Sequence, residues 1–416
     1  MTDGTIWNVH HCGTIFVMKR IIIALALIVA ITQPATSNEA SYEALTDSQI
    51  EQLKAYKEWY LKLDKQLLKH NVILQLSAIT NQAAKVSQSS QPDDVFIQAL
   101  GAILKNKDRL TSHELLKLHR TCLFTNLKSV CSNHHLNEQL IAADPNNFYS
   151  HLPMLNQAYQ AADHNRIDVV IDEMANTQYA KRYYGHELNE IKQVVDKFLQ
   201  NNPIPEEDME FFAGEISRMI NDNPDPVALA QLIEDHAHRN QVNMTVLKYL
   251  LSGSMGDPLR PIIETCSSLL YETPCLHIAE TLITTADSVD MVHIGHTIKL
   301  NILAKNDDPN LTSAVLTKSK KLNSFQCVYQ HIATESTMIF PTYYDYFFNT
   351  LKTKGEGPAL LEAATELNKE LLELGVIKES KLDHCKHIQT MTNDEFLLKY
   401  GDTAPYIQKY LVNSEL

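Results

Sequence analysis

AADPNNFYSHLPMLNQAYQAADHNRIDVVIDEMANTQYAK, residues 142–181, reads as two helices of similar length joined by a polar turn. Asp144-Pro145 opens the first, because the residue before a proline avoids the helical region and proline suits a first helical turn. Apolar residues then recur at helical spacing on both sides of the turn. A helix hairpin of this kind cannot bury its apolar face alone, and stacking such hairpins is how helical solenoids are made.

The same grammar continues outward. Residues 183–200 form a predicted helix stopped by NNPIP, and residues 206–220 another, stopped by NDNPDP. Upstream, Thr46-Asp47-Ser48-Gln49 and Thr111-Ser112-His113-Glu114 are capping boxes, each leading into a helical run. The first run places Leu53, Tyr56, Trp59, Tyr60, Leu63, Leu67 and Leu68 on one face. Further helices are expected over 72–86, 95–105, 258–272, 275–285, 287–305, 357–374, 379–390 and 393–411. The chain has only 12 glycines, few for phosphate loops or hairpin turns, and no run alternates with strand period. The expected fold is all-α: stacked antiparallel helix hairpins in an α-solenoid.

Residues 18–37 carry an address. Lys19-Arg20 precede the apolar run Ile21–Ile31, and small residues Ala35 and Ser37 follow. This is the pattern of a secretory signal peptide, with cleavage expected after Ser37. The apolar run is shorter than the ~20 residues a membrane-spanning helix needs. Residues 1–17 suit the front of such a peptide poorly, so Met18 is the expected start. The expected organisation is therefore 1–37 leader, 38–110 an N-terminal helical segment, 111–223 the hairpins around the opening stretch, and 224–416 C-terminal hairpins. The expected location is periplasmic or secreted.

Six cysteines follow the leader: Cys122, Cys131, Cys266, Cys275, Cys327 and Cys385. An even count in an exported chain suggests disulfides. The pattern T-C-x8-C occurs at Thr121–Cys131 and again at Thr265–Cys275. Nine residues of unbroken helix rise ~13.5 Å, whereas a disulfide needs Cα atoms about 4.4–6.8 Å apart. Each pair therefore requires a broken helix and staples a corner, with Pro274 as the expected helix starter in the second. Cys327 and Cys385 pair by elimination. The alternative is six buried free thiols.

Residues 142–181 resemble a tetratricopeptide-type repeat. Asp144 to Asn147 matches that family's boundary between repeats, and Leu155, Tyr159 and Ala175 fall on three signature positions. Asp168 stands where the family has a small residue, and the first-helix tryptophan is absent. Residues 115–305 also resemble uncharacterised exported proteobacterial proteins. The resemblance lies in Cys122/Cys131, Asp144 to Asn147, Met174-Ala175, Tyr179 with Tyr183-Tyr184, the second cysteine pair, Leu276 to Ala279 and Ile294-Gly295. It implies a helical fold and an envelope location, and no activity.

Motifs of chemistry are missing: there is no G-x-S-x-G, H-E-x-x-H, P-loop or C-x-x-C-H. No catalytic, cofactor-binding or metal residues are assigned. His236 and His238 lie about 200° apart on a helix and cannot easily share one metal. His293 with His296, and Asp383 with Cys385 or His387, each offer two ligands, short of the three or four a zinc site needs. Asp163, Glu187, Glu190 and residues 206–208 sit at helix starts or on polar faces, where acids are favoured electrostatically. A net charge of −14 without a basic stripe argues against nucleic acid. Phe340, Tyr343, Tyr344 and Phe347 form the best candidate interaction surface, although aromatics at helical spacing more often line a core than a surface. The expected function is binding of a protein or peptide partner in the bacterial envelope. The alternative is an enzyme, such as a hydrolase, with its site between helices.

Overall fold

The computed structural model describes residues 47–85, 92–132, 134–203, 259–305, 356–373 and 380–400, with isolated positions between 238 and 353. The signal-peptide segment, residues 206–220, and Phe340, Tyr343 and Tyr344 lie outside the described residues. In chain order the helices are α1 (Asp47–Leu67), α2 (Val72–Lys85), α3 (Asp94–Lys105), α4 (Ser112–Thr121), α5 (Lys128–Cys131), α6 (Leu136–Ala143), α7 (Phe148–Gln160), α8 (His164–Ala175) and α9 (Tyr184–Asn201). They continue with α10 (Arg260–Cys266), α11 (Glu272–Thr285), α12 (Val289–Lys305), α13 (Glu356–Glu373), α14 (Lys381–Thr390) and α15 (Asn393–Tyr400). The chain is all-helical: among the described residues no strand forms, and the one extended pairing is an isolated parallel bridge between Asn147 and Tyr179.

Local chemistry sets the boundaries. Thr111 and Glu114 close a capping box at α4, the Glu114 carboxylate accepting from Thr111 N at 2.8 Å and the Thr111 hydroxyl from Glu114 N at 3.3 Å. Asn147 caps α7 and Asp163 caps α8, each taking one otherwise orphaned N–H. The opening stretch is therefore a helix hairpin, α7 and α8, as its pattern predicts. Phe148, Leu152 and Leu155 of α7 are buried in the same core as Ile167, Val170, Ile171 and Met174 of α8.

The three cysteine pairs stand at disulfide distance. Cα separations are 5.8 Å for Cys122–Cys131, 5.5 Å for Cys266–Cys275 and 5.4 Å for Cys327–Cys385. The two short pairs close corners of identical register. In each, a helix ends at or beside the first cysteine, and a 3-10 turn begins three residues after it, at Thr125–Leu127 or Leu269–Tyr271. The next helix begins three residues later, at Lys128 or Glu272. The single helix expected over 258–272 is thus broken after Cys266. The following helix starts at Glu272 rather than at Pro274, and proline is tolerated there because first-turn N–H groups have no intrahelical partner.

Among the described residues two hydrophobic cores form. The first gathers Trp59, Leu63 and Leu67 of α1 with residues of α2 and α3 and with Leu188, Ile191, Val195 and Leu199 of α9. The second gathers α7 and α8 with α10, α11 and α12. Helix α4 stands between them: Leu118 belongs to the first core, Leu115 and Leu116 to the second.

The α11–α12 crossing is backbone-close. A Cβ on Gly295 would lie 2.8 Å from both the Ala279 carbonyl oxygen and Leu282 Cβ. Alanine gains about 1 kcal/mol in helix propensity, but overpacking against backbone costs about 1–3 kcal/mol. Gly295→Ala is therefore expected to lower the denaturation midpoint. A midpoint unchanged or raised contradicts this close crossing.

Candidate functional site

The link from α8 to α9, residues 177–183, is an extended strap between the α7–α8 hairpin and the α11–α12 pair. Its polar groups find fixed partners on both sides. On one side Gln178 N donates to Asn146 O at 2.9 Å, and Phe148 N donates to Tyr179 O at 2.8 Å. The Asn147 side chain donates to Lys181 O at 2.9 Å and accepts from Lys181 N at 3.0 Å. On the other side Ala180 N donates to Thr285 Oγ1 at 3.0 Å, and Asp287 N to Ala180 O at 3.2 Å. Arg182 N and Tyr183 N donate to the Asp287 carboxylate at 2.7 and 2.9 Å. These bonds hold Tyr183 at φ 62°, a left-handed conformation that side chains other than glycine's resist.

The resemblance motifs meet here. Asp144 is buried and accepts hydrogen bonds from Tyr179 Oη at 2.6 Å, Tyr183 Oη at 3.1 Å and Asn147 Nδ2 at 3.2 Å. The Tyr179 phenol is pushed well above its ordinary range, chiefly by its bond to this carboxylate and secondarily by burial. Burial, followed by the Asp144 charge, pushes Tyr183 up as well. Burial also raises the Asp287 carboxyl, against the pull of the Arg182 and Tyr183 N–H groups.

Beside the strap a polar seam runs between the two cores. Lys117 of α4 pairs with Glu187 of α9, both buried. Ser77 Oγ of α2 lies 3.0 Å from Glu187 Oε1. The Thr80 and Thr121 hydroxyls meet at 2.9 Å, and the Arg120 guanidinium sits 5.3 Å from the centre of the Tyr149 ring. The His113 and Tyr183 rings lie 5.0 Å apart. Burial alone would push the Glu187 carboxyl up. The charge and hydrogen bond of Lys117, with the Ser77 bond, outweigh it and hold the carboxyl below its usual range. These titratable groups engage one another, as a buried network must if it is to be stable. A second buried acid, Asp64 of α1, is satisfied by Asn81, Gln82, Lys85 and Tyr249 at 2.5–3.0 Å.

An open trough of ≈ 750 Å³ lies between α9 and the α1–α2 junction. Leu74, Val194 and Phe198 supply its apolar part. Lys62, Gln66, His70 and Asn71 line one side, and Glu190, Gln193, Lys197 and Asn202 the other. Asn71 Nδ2 donates to Glu190 Oε2 at 3.1 Å, joining the two sides. The Trp59 indole N–H donates to Asn202 O at 2.8 Å and ties the end of α9 to α1.

The residues singled out in the sequence scatter. Phe347 is 7 % exposed and belongs to the first core, so it packs rather than presents a surface. Glu187 is in the seam, Glu190 is in the trough, and Asp163 is the α8 cap. His238 pairs with Asp196 at 2.9 Å, and Cys385 stands at disulfide distance from Cys327. Among the described residues no three metal-ligating side chains gather. Asp168, out of place for a tetratricopeptide repeat, accepts a hydrogen bond from Tyr271 at the second cysteine corner. Sequence reasoning missed Lys117 and Asp287. Their partners lie 70 and about 105 residues away along the chain, and no local spacing marks them.

No family model matches the chain, and no curated protein or solved structure matches it.

Proposed function

We propose that this is an exported, disulfide-stapled protein whose stacked helix hairpins present a binding trough for a polypeptide partner in the bacterial envelope, periplasmic or secreted. The trough carries the reading. An open channel does not enclose a small molecule, since small-ligand pockets bury most of their ligand's surface. It does suit an extended chain: the apolar residues accept side chains, and amides such as Gln193 offer both a donor and an acceptor to a peptide backbone. Three cysteine pairs at disulfide distance support an oxidising compartment. The basic, apolar and small-residue order of residues 18–37 supports export. Among the described residues no helix is long and apolar enough to cross a membrane. The rival hydrolase reading would draw on the seam, but the titratable groups there are engaged with one another.

Peptides selected from a random displayed library against the purified protein test this. A photoreactive residue at Gln193 is expected to crosslink them, and one at Gln160, exposed on α7 and outside the trough, is not. Equal labelling at the two positions, or no selected peptide, contradicts the proposal.

A further inference from the structure

We infer that the trough selects extended peptides bearing carboxylates; this rests on the peptide-binding reading above and adds the chemistry of the ligand. The chain carries a net charge of −14, yet the charges lining the trough are of the opposite balance. Lys62 on α1 and Lys197 on α9 are both exposed and line it from opposite sides. Neither ammonium forms an ion pair among the described residues. The one acid of the lining, Glu190, already accepts from Asn71 at 3.1 Å. The neighbouring acid on α9, Asp196, pairs with His238 at 2.9 Å. Two ammonium groups therefore flank an apolar strip of Leu74, Val194 and Phe198.

That arrangement reads an extended chain well. Side chains along a strand alternate, so one set meets the apolar strip while backbone groups meet the amides. Carboxylates on the ligand's flanks then reach the lysines. The chain's net charge of −14 disfavours such a ligand away from the two lysines, which sharpens placement more than it strengthens the bond. Ion pairs of exposed groups contribute about 0.2–1 kcal/mol each. The preference is therefore moderate and falls with salt.

The test uses fluorescence anisotropy with one labelled peptide in three forms: its Asp and Glu retained, changed to Asn and Gln, or changed to Lys. The acidic form is expected to bind best. The Lys62→Glu/Lys197→Glu double variant should weaken it about tenfold and bring it level with the neutral form. Lys62→Gln/Lys197→Gln, with helicity checked by circular dichroism, serves if charge reversal disturbs folding. Equal binding of acidic and neutral forms overturns the carboxylate preference and leaves peptide binding standing. Binding of none of the three overturns both.

Discussion

Lys117→Met is expected to lower unfolding free energy by about 3–5 kcal/mol, the range for removing one partner of a buried ion pair. The loss does not measure the attraction between Lys117 and Glu187. It measures what happens to Glu187, buried at the junction of α2, α4 and α9, once Ser77 is the hydrogen-bonding side chain left to its carboxylate among the described residues. The Lys117→Met/Glu187→Met double variant should recover most of the loss, because apolar side chains of similar volume leave no charge to desolvate. Acid titration gives a second readout. The Glu187 carboxyl is held below its usual range in the folded protein. Its contribution is therefore present above the unfolded carboxylate value, about 4.3, and lost as pH falls through the folded value. The double variant should show a shallower loss of stability below that pH. Denaturant midpoints across pH 3–7, as an approximate working range, measure both effects. A double variant no more stable than Lys117→Met contradicts the seam as described.

Removing Cys327–Cys385 is expected to cost the most of the three disulfides. Its loop spans 58 residues, whereas each short pair spans 9. Loop-closure entropy then assigns it about 4 kcal/mol, against about 2.5–3 kcal/mol for either corner. Paired Cys→Ser variants, compared by midpoint at constant slope, rank them directly. The corners have a different consequence. Each holds a 3-10 turn between two helices, so its loss should be felt locally. Asn126 donates to Ala83 O at 2.9 Å from the first corner, and Tyr271 bonds Asp168 from the second. Faster backbone exchange confined to Thr125–Leu127 or Leu269–Tyr271 is the expected sign. A larger loss from either corner pair than from Cys327–Cys385 contradicts this ranking.

Features written in short-range chemistry were legible before any coordinates. The α4 capping box needs four residues, the α7–α8 hairpin needs helical spacing around a turn, and the corners need only the argument that nine helical residues cannot close a disulfide. Even the 327–385 pair followed by elimination. The strap and the seam were not legible, because their partners come from distant helices. Tyr179, Tyr183 and Asp144 stood out as motif residues, but nothing in the sequence said that two phenols share one carboxylate. Glu187 looked like a surface acid at a helix start, and the burial of that helix start decides otherwise. Phe347, offered as part of a recognition surface, fills the first core. The trough escaped notice because its lining is ordinary: lysines, amides and one apolar strip that only the packing of α9 on α1 and α2 brings together.

Mass mapping of the protein purified from the cells that make it and from their medium, digested without reduction, tests most directly that this is an exported, stapled chain. The account predicts linked peptides for Cys122–Cys131, Cys266–Cys275 and Cys327–Cys385, and an N-terminal peptide beginning at Asn38. Six free thiols on a chain that retains residues 18–37 would contradict it.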